Sequence, residues 1–337
     1  MFPKLRFKEF DGDWLKLKYK DVLTIKYGKD HKSLNDGDIP VYGTGGLMRH
    51  VNKYLYDGES ILIGRKGTID KPKYINEKFW TVDTLFYTEI EESIVPLFLY
   101  QHALEVNWLG LNEATGVPSL NTTSIYNIDI SIPSKEEQNK IASFLSVVDE
   151  KISQLTQKLE LLSQYKQGMM QKLFSQQLRF KADDGSEFGE WEGKELHQIF
   201  QIKAGGDIEK SSVSEVRTSE FSYPIFANSD KNKGFYGWAN KFKYKEAVTV
   251  TGRGNLGIAV ARNEPFYPIV RLLVLLPLVK QNLKFFEEQI NLLDIVSEST
   301  GVPQLTAPQL SKYKVNVPSL EEQTKIANFL SSIDQKI

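Results

Sequence analysis

The sequence of 337 residues contains no cysteine and only four histidines, which excludes a disulfide framework and a metal site built on thiolates. Long apolar runs are also missing. The longest, residues 269–279, is interrupted by Arg271 and Pro277 and falls short of the roughly 18 to 20 apolar residues of a membrane span. Residues 1–6 lack the apolar core of a signal peptide. These absences favour a cytoplasmic protein.

The chain also lacks a strong net charge. A nucleic-acid-binding domain is usually basic, whereas the formal net charge here is -1 at pH 7. The charge is uneven, because residues 1–80 and residues 226–262 each carry about +5 when Lys and Arg are counted against Asp and Glu. Local basic faces are therefore compatible with DNA binding, and composition alone leaves the question open.

Catalytic motifs are absent as well. The sequence has no phosphate-binding Gly-x-x-x-x-Gly-Lys-Ser/Thr loop and no Gly-x-Gly-x-x-Gly after a strand. The histidines do not have metal-ligand spacing; they are His31, His50, His102 and His197. We therefore expect no catalytic residues, no metal site and no cofactor bound by this chain itself.

The most informative feature that is present is an internal repeat. Residues 114–152 align without a gap on residues 299–337, with about half of the positions identical. A Thr-Gly-Val-Pro turn, a Pro-Ser-x-Glu-Glu-Gln sequence and Phe-Leu-Ser occur in both copies. Weaker echoes precede this block, among them Leu-Arg-Phe at residues 5–7 and 178–180, and Gly-Arg at residues 64–65 and 252–253.

The repeat predicts two globular domains that alternate with two helices. We assign residues 1–133 to the first domain, 134–177 to a long helix, 178–318 to the second domain and 319–337 to a second helix. Strands ending at glycine, as at residues 60–63 and 247–251, and one helix per domain, at residues 97–105 and 283–296, indicate mixed α+β domains. The predicted fold class is thus two similar α+β domains joined by long coiled-coil helices.

Both helices have clear start signals. Ser134 and Ser319 precede the helical patterns, and Glu137 and Glu322 follow three residues later, which is the spacing of a capping box. The adjacent acidic residues also complement the positive end of the helix dipole.

Apolar residues then recur on alternating steps of four and three, which is typical of a coiled-coil seam. Lys166 alone interrupts the row. An ordinary core helix is the alternative, although it usually shows a wider apolar face. The predicted helix–helix or partner interface consists of Ile141, Leu145, Val148, Ile152, Leu155, Leu159, Leu162, Met169 and Leu173 in the first helix and Ile326, Leu330 and Ile333 in the second.

Two pairs of loops are the candidates for nucleic-acid contact. Residues 42–49 follow a predicted strand, and their glycines allow the backbone to approach DNA closely, although a plain turn explains them equally well. The corresponding residues 226–233 keep the flanks and change every loop residue. The candidates here are Lys32, Thr44, Gly45 and Arg49 in the first domain and Asn228, Ser229, Lys231 and Lys233 in the second.

The second pair consists of residues 64–68 and 252–257, which we align through their shared Gly-Arg. An arginine at a hairpin tip can donate two hydrogen bonds to guanine, the commonest specific major-groove contact. The candidates are Arg65, Lys66 and Thr68, with Arg253 and Asn255 in the other domain. Residues 115–121 and 300–306 either face DNA or form a structural turn.

These motifs together resemble the specificity subunits of type I restriction-modification systems. The resemblance rests on the Thr-Gly-Val-Pro turns, the Pro-Ser-x-Glu-Glu-Gln helix starts and the helix end at residues 165–174, and it extends over essentially the whole chain. It implies two target recognition domains that read the halves of an interrupted, asymmetric double-stranded DNA site. Modification and, through them, restriction subunits are the implied partners, which use S-adenosylmethionine and ATP for methyl transfer and cleavage.

The helix length suits a spacing element. Residues 141–173 span roughly 50 Å at about 1.5 Å per residue, which corresponds to some 14 to 15 base pairs at about 3.4 Å each. The resemblance implies a second helix as long as the first, whereas the sequence stops at Ile337. We therefore expect the seam at residues 155–173 to need a partner, for which self-association is our preferred hypothesis. A coiled-coil adaptor without DNA readout remains the alternative function.

Overall fold

A computed structural model of the chain describes residues 5–295 and 304–337. It divides into two compact units, Met1–Leu155 and Thr156–Ile337, called here the first and the second unit. The predicted turn at residues 300–303 and the end of the predicted helix at residue 296 lie outside the described residues.

The first unit consists of short strands followed by helices. In chain order its elements are β1 (Leu15–Lys18), β2 (Leu23–Tyr27), β3 (Ile39–Gly43), β4 (Gly46–Val51), β5 (Tyr56–Gly64), β6 (Lys73–Thr81), β7 (Leu85–Ile90), α1 (Pro96–Glu105), α2 (Thr122–Tyr126), β8 (Asp129–Ile132) and the beginning of α3 (Lys135–Phe174).

The second unit repeats this order after the end of α3. Its elements are β9 (Glu192–Glu195), α4 (Leu196–Ile199), β10 (Phe200–Ala204), β11 (Val213–Ser214), β12 (Tyr223–Phe226), β13 (Phe235–Ala239), β14 (Ala247–Val250), β15 (Ala259–Arg262), β16 (Tyr267–Pro268), β17 (Leu273–Pro277), α5 (Leu283–Ile290), α6 (Ala307–Leu310), β18 (Lys314–Val317) and α7 (Leu320–Asp334). Helix α5 is shorter than the predicted 283–296, because the chain leaves it in a turn after Ile290.

The sheets show that the two units share one topology. The first unit has a six-stranded sheet in the order β2-β7-β5-β6-β3-β4, in which only the contact between β3 and β6 is parallel. The second unit has β10-β17-β14-β15 and β11-β13-β12-β16, again with a single parallel contact, between β12 and β16. The long strand β6 is replaced by two short ones, β15 and β16, so one sheet becomes two. Two similar α+β units on a long helix confirm the predicted fold class.

The beginnings of α3 and α7 are fixed by the same pair of charged side chains. Arg6 donates to both carboxylate oxygens of Glu137 at 2.7 Å, and Arg179 donates to those of Glu322 at 3.0 and 2.9 Å. The two carboxylates are 2% and 0% exposed. A buried carboxylate needs a charged, hydrogen-bonding partner, and the guanidinium fork supplies it.

The predicted capping boxes form only in part. Ser134 Oγ accepts from the N–H of Glu137, and Ser319 Oγ accepts from the N–H of Glu322, both at 3.3 Å. The glutamate carboxylates are engaged by arginine and make no hydrogen bond back to the cap. The serine half of the prediction is confirmed, and the glutamate half is wrong.

The glutamine after each glutamate joins the long helix to the rest of its unit. Gln138 Oε1 accepts from the N–H of Val95 at the start of α1 at 2.9 Å, and Gln323 Oε1 accepts from the N–H of Asn282 at the start of α5 at 3.0 Å. Both amides donate to the proline carbonyl five residues earlier. The repeated Glu-Glu-Gln sequence therefore fixes the direction in which each helix leaves its sheet.

Lys166, the interruption in the apolar row, lies in an ion-pair cluster. Its Nζ contacts Glu288 Oε1 at 3.0 Å and Asp334 Oδ1 at 2.6 Å, and Lys284 Nζ contacts the same two carboxylates at 2.8 and 3.3 Å. Because Glu288 belongs to α5 and Asp334 to α7, the cluster joins three helices of the second unit. A charge at this seam position is thus paired, as a half-buried lysine requires.

The apolar row of α3 is buried at its end and exposed in its middle. Leu173 belongs to the core of the second unit together with the seam residues of α7, Ile326, Leu330 and Ile333, whereas Ile141, Leu145, Leu162 and Met169 are half-buried. The exposed members are Val148 (37%), Ile152 (57%), Leu155 (52%) and Leu159 (44%). The expectation that residues 155–173 need a partner is therefore wrong for their end.

The first unit has a groove at the position that the side chain of Phe174 fills in the second unit. Phe174 packs against the rings of Trp191 and Phe285, at centroid distances of 6.5 and 5.2 Å. Trp14 and Phe98 repeat the Trp–Phe contact at 6.2 Å, but a groove of about 430 Å³ remains beside Trp14. Trp14 Nε1 has no hydrogen-bond partner among the described residues.

We predict that Glu322→Ala destabilises α7 by about 3–5 kcal/mol, because it leaves the partly buried Arg179 without its counter-charge. Hydrogen exchange of α7 measured by mass spectrometry should be faster in this variant. The matched control is Glu321→Ala, an exposed residue of the same helical turn, which should cost at most about 0.3–1 kcal/mol. Equal protection of α7 in the two variants would contradict the structural role of the pair.

Candidate nucleic-acid interface

In the first unit, three separate loops meet at one surface. The hairpin after β5 is held against the Thr-Gly-Val-Pro turn, since Gly67 donates to Pro118 O and Leu120 donates to Arg65 O, both at 2.9 Å. Gly67 has a φ of +91°, and a methyl group built there would lie 3.6 Å from Thr44 Oγ1, so the hairpin also touches the glycine loop. The predicted candidates Thr44, Gly45, Arg65, Lys66 and Thr68 are therefore neighbours.

The other two candidates of the first unit are Arg49, on β4, and Lys32, on the adjacent loop at residues 30–38. Arg49 donates to Asp36 Oδ1 at 2.6 Å and to Leu34 O at 3.2 Å, which fastens β4 to residues 30–38. Lys32 is exposed on that loop. Arg65 is also engaged, because it donates to Asp83 O at 3.1 Å and stacks on Tyr27. Of the candidate cations of this unit, Lys32 and Lys66 are exposed.

In the second unit the two candidate loops contact each other directly. Asn228 Oδ1 accepts from the N–H of Gly252 at 2.7 Å, and Asn255 Nδ2 donates to Asp230 Oδ2 at 2.6 Å. Lys231 donates its backbone N–H to Ser229 Oγ at 3.2 Å. The predicted candidates Asn228, Ser229, Lys231, Lys233, Arg253 and Asn255 therefore form one polar surface.

Arg262, which sequence reasoning missed, supports this surface from below. Its guanidinium lies 3.5 Å from the ring centroid of Phe226 and donates to Thr249 Oγ1 and to the carbonyl of Lys233. Burial lowers the pKa of Arg262 to about 10. Asn232 and Lys233 have φ values of +48° and +51°, and the bond from Arg262 helps to hold this left-handed turn. No sequence signal links the residue to a loop 29 positions earlier.

The structure corrects the alignment of the hairpin arginines by one residue. Lys66 forms a bridge with Ser119 and Arg253 forms one with Gln304, which is the same position in the second copy of the repeat. Likewise, Leu120 donates to Arg65 O, whereas Leu305 donates to Gly252 O. Arg253 thus corresponds to Lys66 and not to Arg65, although both cations still occupy the hairpin.

Metal binding and membrane insertion find no support in the described part of the chain. Within it, no group of three or more His, Asp or Glu side chains is arranged to hold a metal ion. None of the helices formed by these residues combines the length and the hydropathy that crossing a bilayer requires.

Comparison with known proteins identifies the duplicated unit. The profile of the type I restriction modification DNA specificity domain matches residues 11–164 and residues 189–337. The chain belongs to this DNA specificity family. Each match covers most of one of the two units, so the repeat is a duplication of the specificity domain.

Individual proteins agree with this membership of the DNA specificity family. A Mycoplasma pneumoniae protein named as a type I specificity subunit is 28% identical over 94% of this chain and 88% of its own length. The specificity subunit of the type I restriction enzyme MjaVIII of Methanocaldococcus jannaschii is 26% identical over 84% of this chain and 72% of its own length. The crystal structure of the S subunit of a type I restriction-modification system from M. genitalium has the same fold, with a TM-score of 0.75 at 18% identity, covering 100% of this chain and 93% of that one.

Membership of the DNA specificity family bears on the function predicted from the sequence. The family profile supports recognition of a DNA target, and no comparison favours an adaptor without DNA readout. Specificity subunits in general have a non-catalytic role. The individual base-contacting residues stay predictions, and their juxtaposition in each unit is what the structure adds.

We predict that Asn228→Ala loosens the surface of the second unit. The change leaves the buried N–H of Gly252 without its acceptor, which costs about 1–3 kcal/mol. Hydrogen exchange in a peptide covering residues 248–258 should become faster. Ser229→Ala is the control, because Ser229 Oγ accepts only from the N–H of Lys231 in the same loop. Unchanged exchange in Asn228→Ala would show that the loops are not coupled through this side chain.

Proposed function

We propose that the two units of this DNA specificity subunit read the two halves of an interrupted, asymmetric double-stranded DNA site. The observation that carries the proposal is that the two units share a frame but carry different loops. Lys66 and Arg253 occupy the same bridge position, while the glycine loop at residues 43–46 is replaced by the polar loop at residues 228–233. A shared scaffold with different polar tips suits readers of different base sequences.

The catalytic steps are assigned to partner subunits. Methyl transfer and DNA cleavage would be performed by modification and restriction subunits, which would supply the sites for S-adenosylmethionine and ATP. This chain would select the DNA sequence at which those subunits act. The family profile is compatible with this division of labour.

The long helix is the proposed spacing element. Helix α3 runs without interruption over 40 residues, or about 60 Å at 1.5 Å per residue. It begins in the first unit and ends in the second, since the boundary between the units falls within it. A continuous helix resists changes in length, so the distance between the two half-sites would follow from the number of residues in α3.

The exposed part of the α3 row is the proposed self-association surface. Val148, Ile152, Leu155 and Leu159 form an apolar stripe that continues the seam through which the end of α3 packs in the core with α7. Helices with apolar residues in this spacing gain stability by burying them against a second helix. We assign the stripe to the corresponding helix of a second copy of the chain.

Substitution of one loop cation in each unit tests the DNA-reading proposal. Methylated sites would be mapped in cells that co-express the chain with its modification subunit. Arg253→Ala should relax one position of one half-site, and Lys66→Ala should affect only the other half-site, each at about 1–3 kcal/mol. The control is Lys78→Ala, an exposed lysine in the middle of β6, which should leave the motif unchanged. A motif that is unaltered in both loop variants would contradict the assignment of these loops to base readout.

The oligomeric state tests the self-association proposal. Light scattering should show that the purified chain is a dimer and that the double variant Leu155→Asp and Leu159→Asp is a monomer, because the charges would be buried in the helix pair. Gln157→Asp adds a charge to an exposed polar position of the same helix and should remain dimeric. A monomeric native chain over the whole concentration range would exclude the second copy as the occupant of the stripe.

A further inference from the structure

The corner between β16 and β17, formed by Val270 and Arg271, lies against two candidate loops of the second unit, at residues 226–233 and 252–257. The N–H of Arg271 donates to Gly205 O at 3.1 Å. The side-chain amide of Asn228 donates to Val270 O. A methyl group built on Gly252 would lie 3.5 Å from Arg271 O. The corner therefore adjoins both loops of the polar surface described above.

The backbone of this corner is strained. Val270 and Arg271 have φ values of +52° and +61°, a left-handed conformation that is unfavourable for most residues and especially for a β-branched one. The matching corner of the first unit is Asp83-Thr84, because Leu85 donates to Val82 O as Leu272 donates to Ile269 O. Asp83 and Thr84 do not have positive φ. The strain is thus specific to the second unit, and strained residues of this kind concentrate at functional sites.

Arg271 also differs from most arginines of its unit in having a guanidinium without a partner. Arg179 is paired with Glu322, Arg217 stacks on Trp238, and Arg262 is buried over Phe226. Arg271 is exposed, and its side chain makes no hydrogen bond, ion pair or ring contact with the described residues. Only Arg253, next to Gly252 on the same surface, shares this property.

We propose that Arg271 is a specificity-determining residue of the second unit and that it reads a guanine in the half-site of that unit. The inference rests on the proposed DNA-reading function. A free guanidinium can donate to guanine O6 and N7 together, which no other base pair edge accepts in the same way. The strained corner holds the backbone of this arginine beside the loops at residues 226–233 and 252–257, from where its guanidinium can reach the same DNA surface.

A phosphate contact is the competing role for an exposed arginine. A phosphate binds the positive charge of lysine nearly as well, whereas bidentate recognition of guanine requires the planar fork of arginine. The pair of variants Arg271→Ala and Arg271→Lys therefore separates the two roles. Arg217→Ala is the matched control, since Arg217 is an exposed arginine of the same unit that stacks on a tryptophan.

The experiment maps methylated sites in cells that co-express each variant with the modification subunit. The native chain should require guanine at one position of one half-site, with a discrimination of about 5- to 160-fold. In Arg271→Ala and Arg271→Lys this discrimination should fall to near unity at that position, while the other half-site and the Arg217→Ala motif stay unchanged. Urea unfolding of each purified variant checks that the fold is retained.

Two results would overturn the inference. A native motif in Arg271→Lys together with uniformly weaker methylation in Arg271→Ala would assign Arg271 to a phosphate. An unchanged motif and rate in both variants would remove the residue from the DNA surface. Failure of the proposed function is distinct from both, because the native chain would then direct no methylation to specific sites.

Discussion

Two buried glutamates, each held by the fork of an arginine, are the constraint on which the structure depends. Glu137 and Glu322 are almost inaccessible to water, and an unpaired carboxylate in that position would cost several kcal/mol. Their partners, Arg6 and Arg179, precede them in the sequence by 131 and 143 positions. Each pair therefore closes a unit at the point where its helix begins. Because the following glutamines bind the starts of α1 and α5, the helix direction is fixed relative to the sheet.

This arrangement separates the parts that must stay constant from those that can change. The core and the helix starts use equivalent residues in both units, such as the Trp–Phe contacts at 6.2 and 5.9 Å. The candidate loops differ in sequence, most completely between residues 43–46 and residues 228–233. The first unit presents exposed lysines there, and the second presents the unpaired guanidiniums of Arg253 and Arg271. New base preferences can therefore arise from loop substitutions that leave the helix geometry unchanged.

Sequence reasoning predicted the features that repeat or have a period. The duplication and the helix starting after Ser134 were accessible, because the repeated motifs, the capping serines and the alternating apolar steps are local signals. The pairing of Arg6 with Glu137 was missed, since the two residues are 131 positions apart and each has an ordinary local explanation. Arg271 was missed for a similar reason. Its importance comes from backbone conformation and from loops that meet only in the folded unit.

Register and exposure were the other limits of the sequence. Gly-Arg occurs in both hairpins, and identity of the dipeptide suggested that Arg65 and Arg253 correspond. The bridges from Lys66 to Ser119 and from Arg253 to Gln304 instead make Lys66 the counterpart of Arg253. The apolar row of α3 looked uniform, but its residues have different surroundings: Leu173 is buried in the second unit, whereas Ile152 is 57% exposed. Periodicity shows which residues share a helix face, and only packing shows what covers that face.

The most direct test of the account changes the length of α3 and measures the distance between methylated half-sites. Seven residues that continue the apolar row would be inserted within residues 151–160, which are all exposed, so that neither core is disturbed. The insertion lengthens the helix by about 10.5 Å. We expect both half-site sequences to persist with a spacer longer by about three base pairs at 3.4 Å each. A folded variant that methylates sites with the original spacer would contradict the role of the helix as the element that sets the spacing.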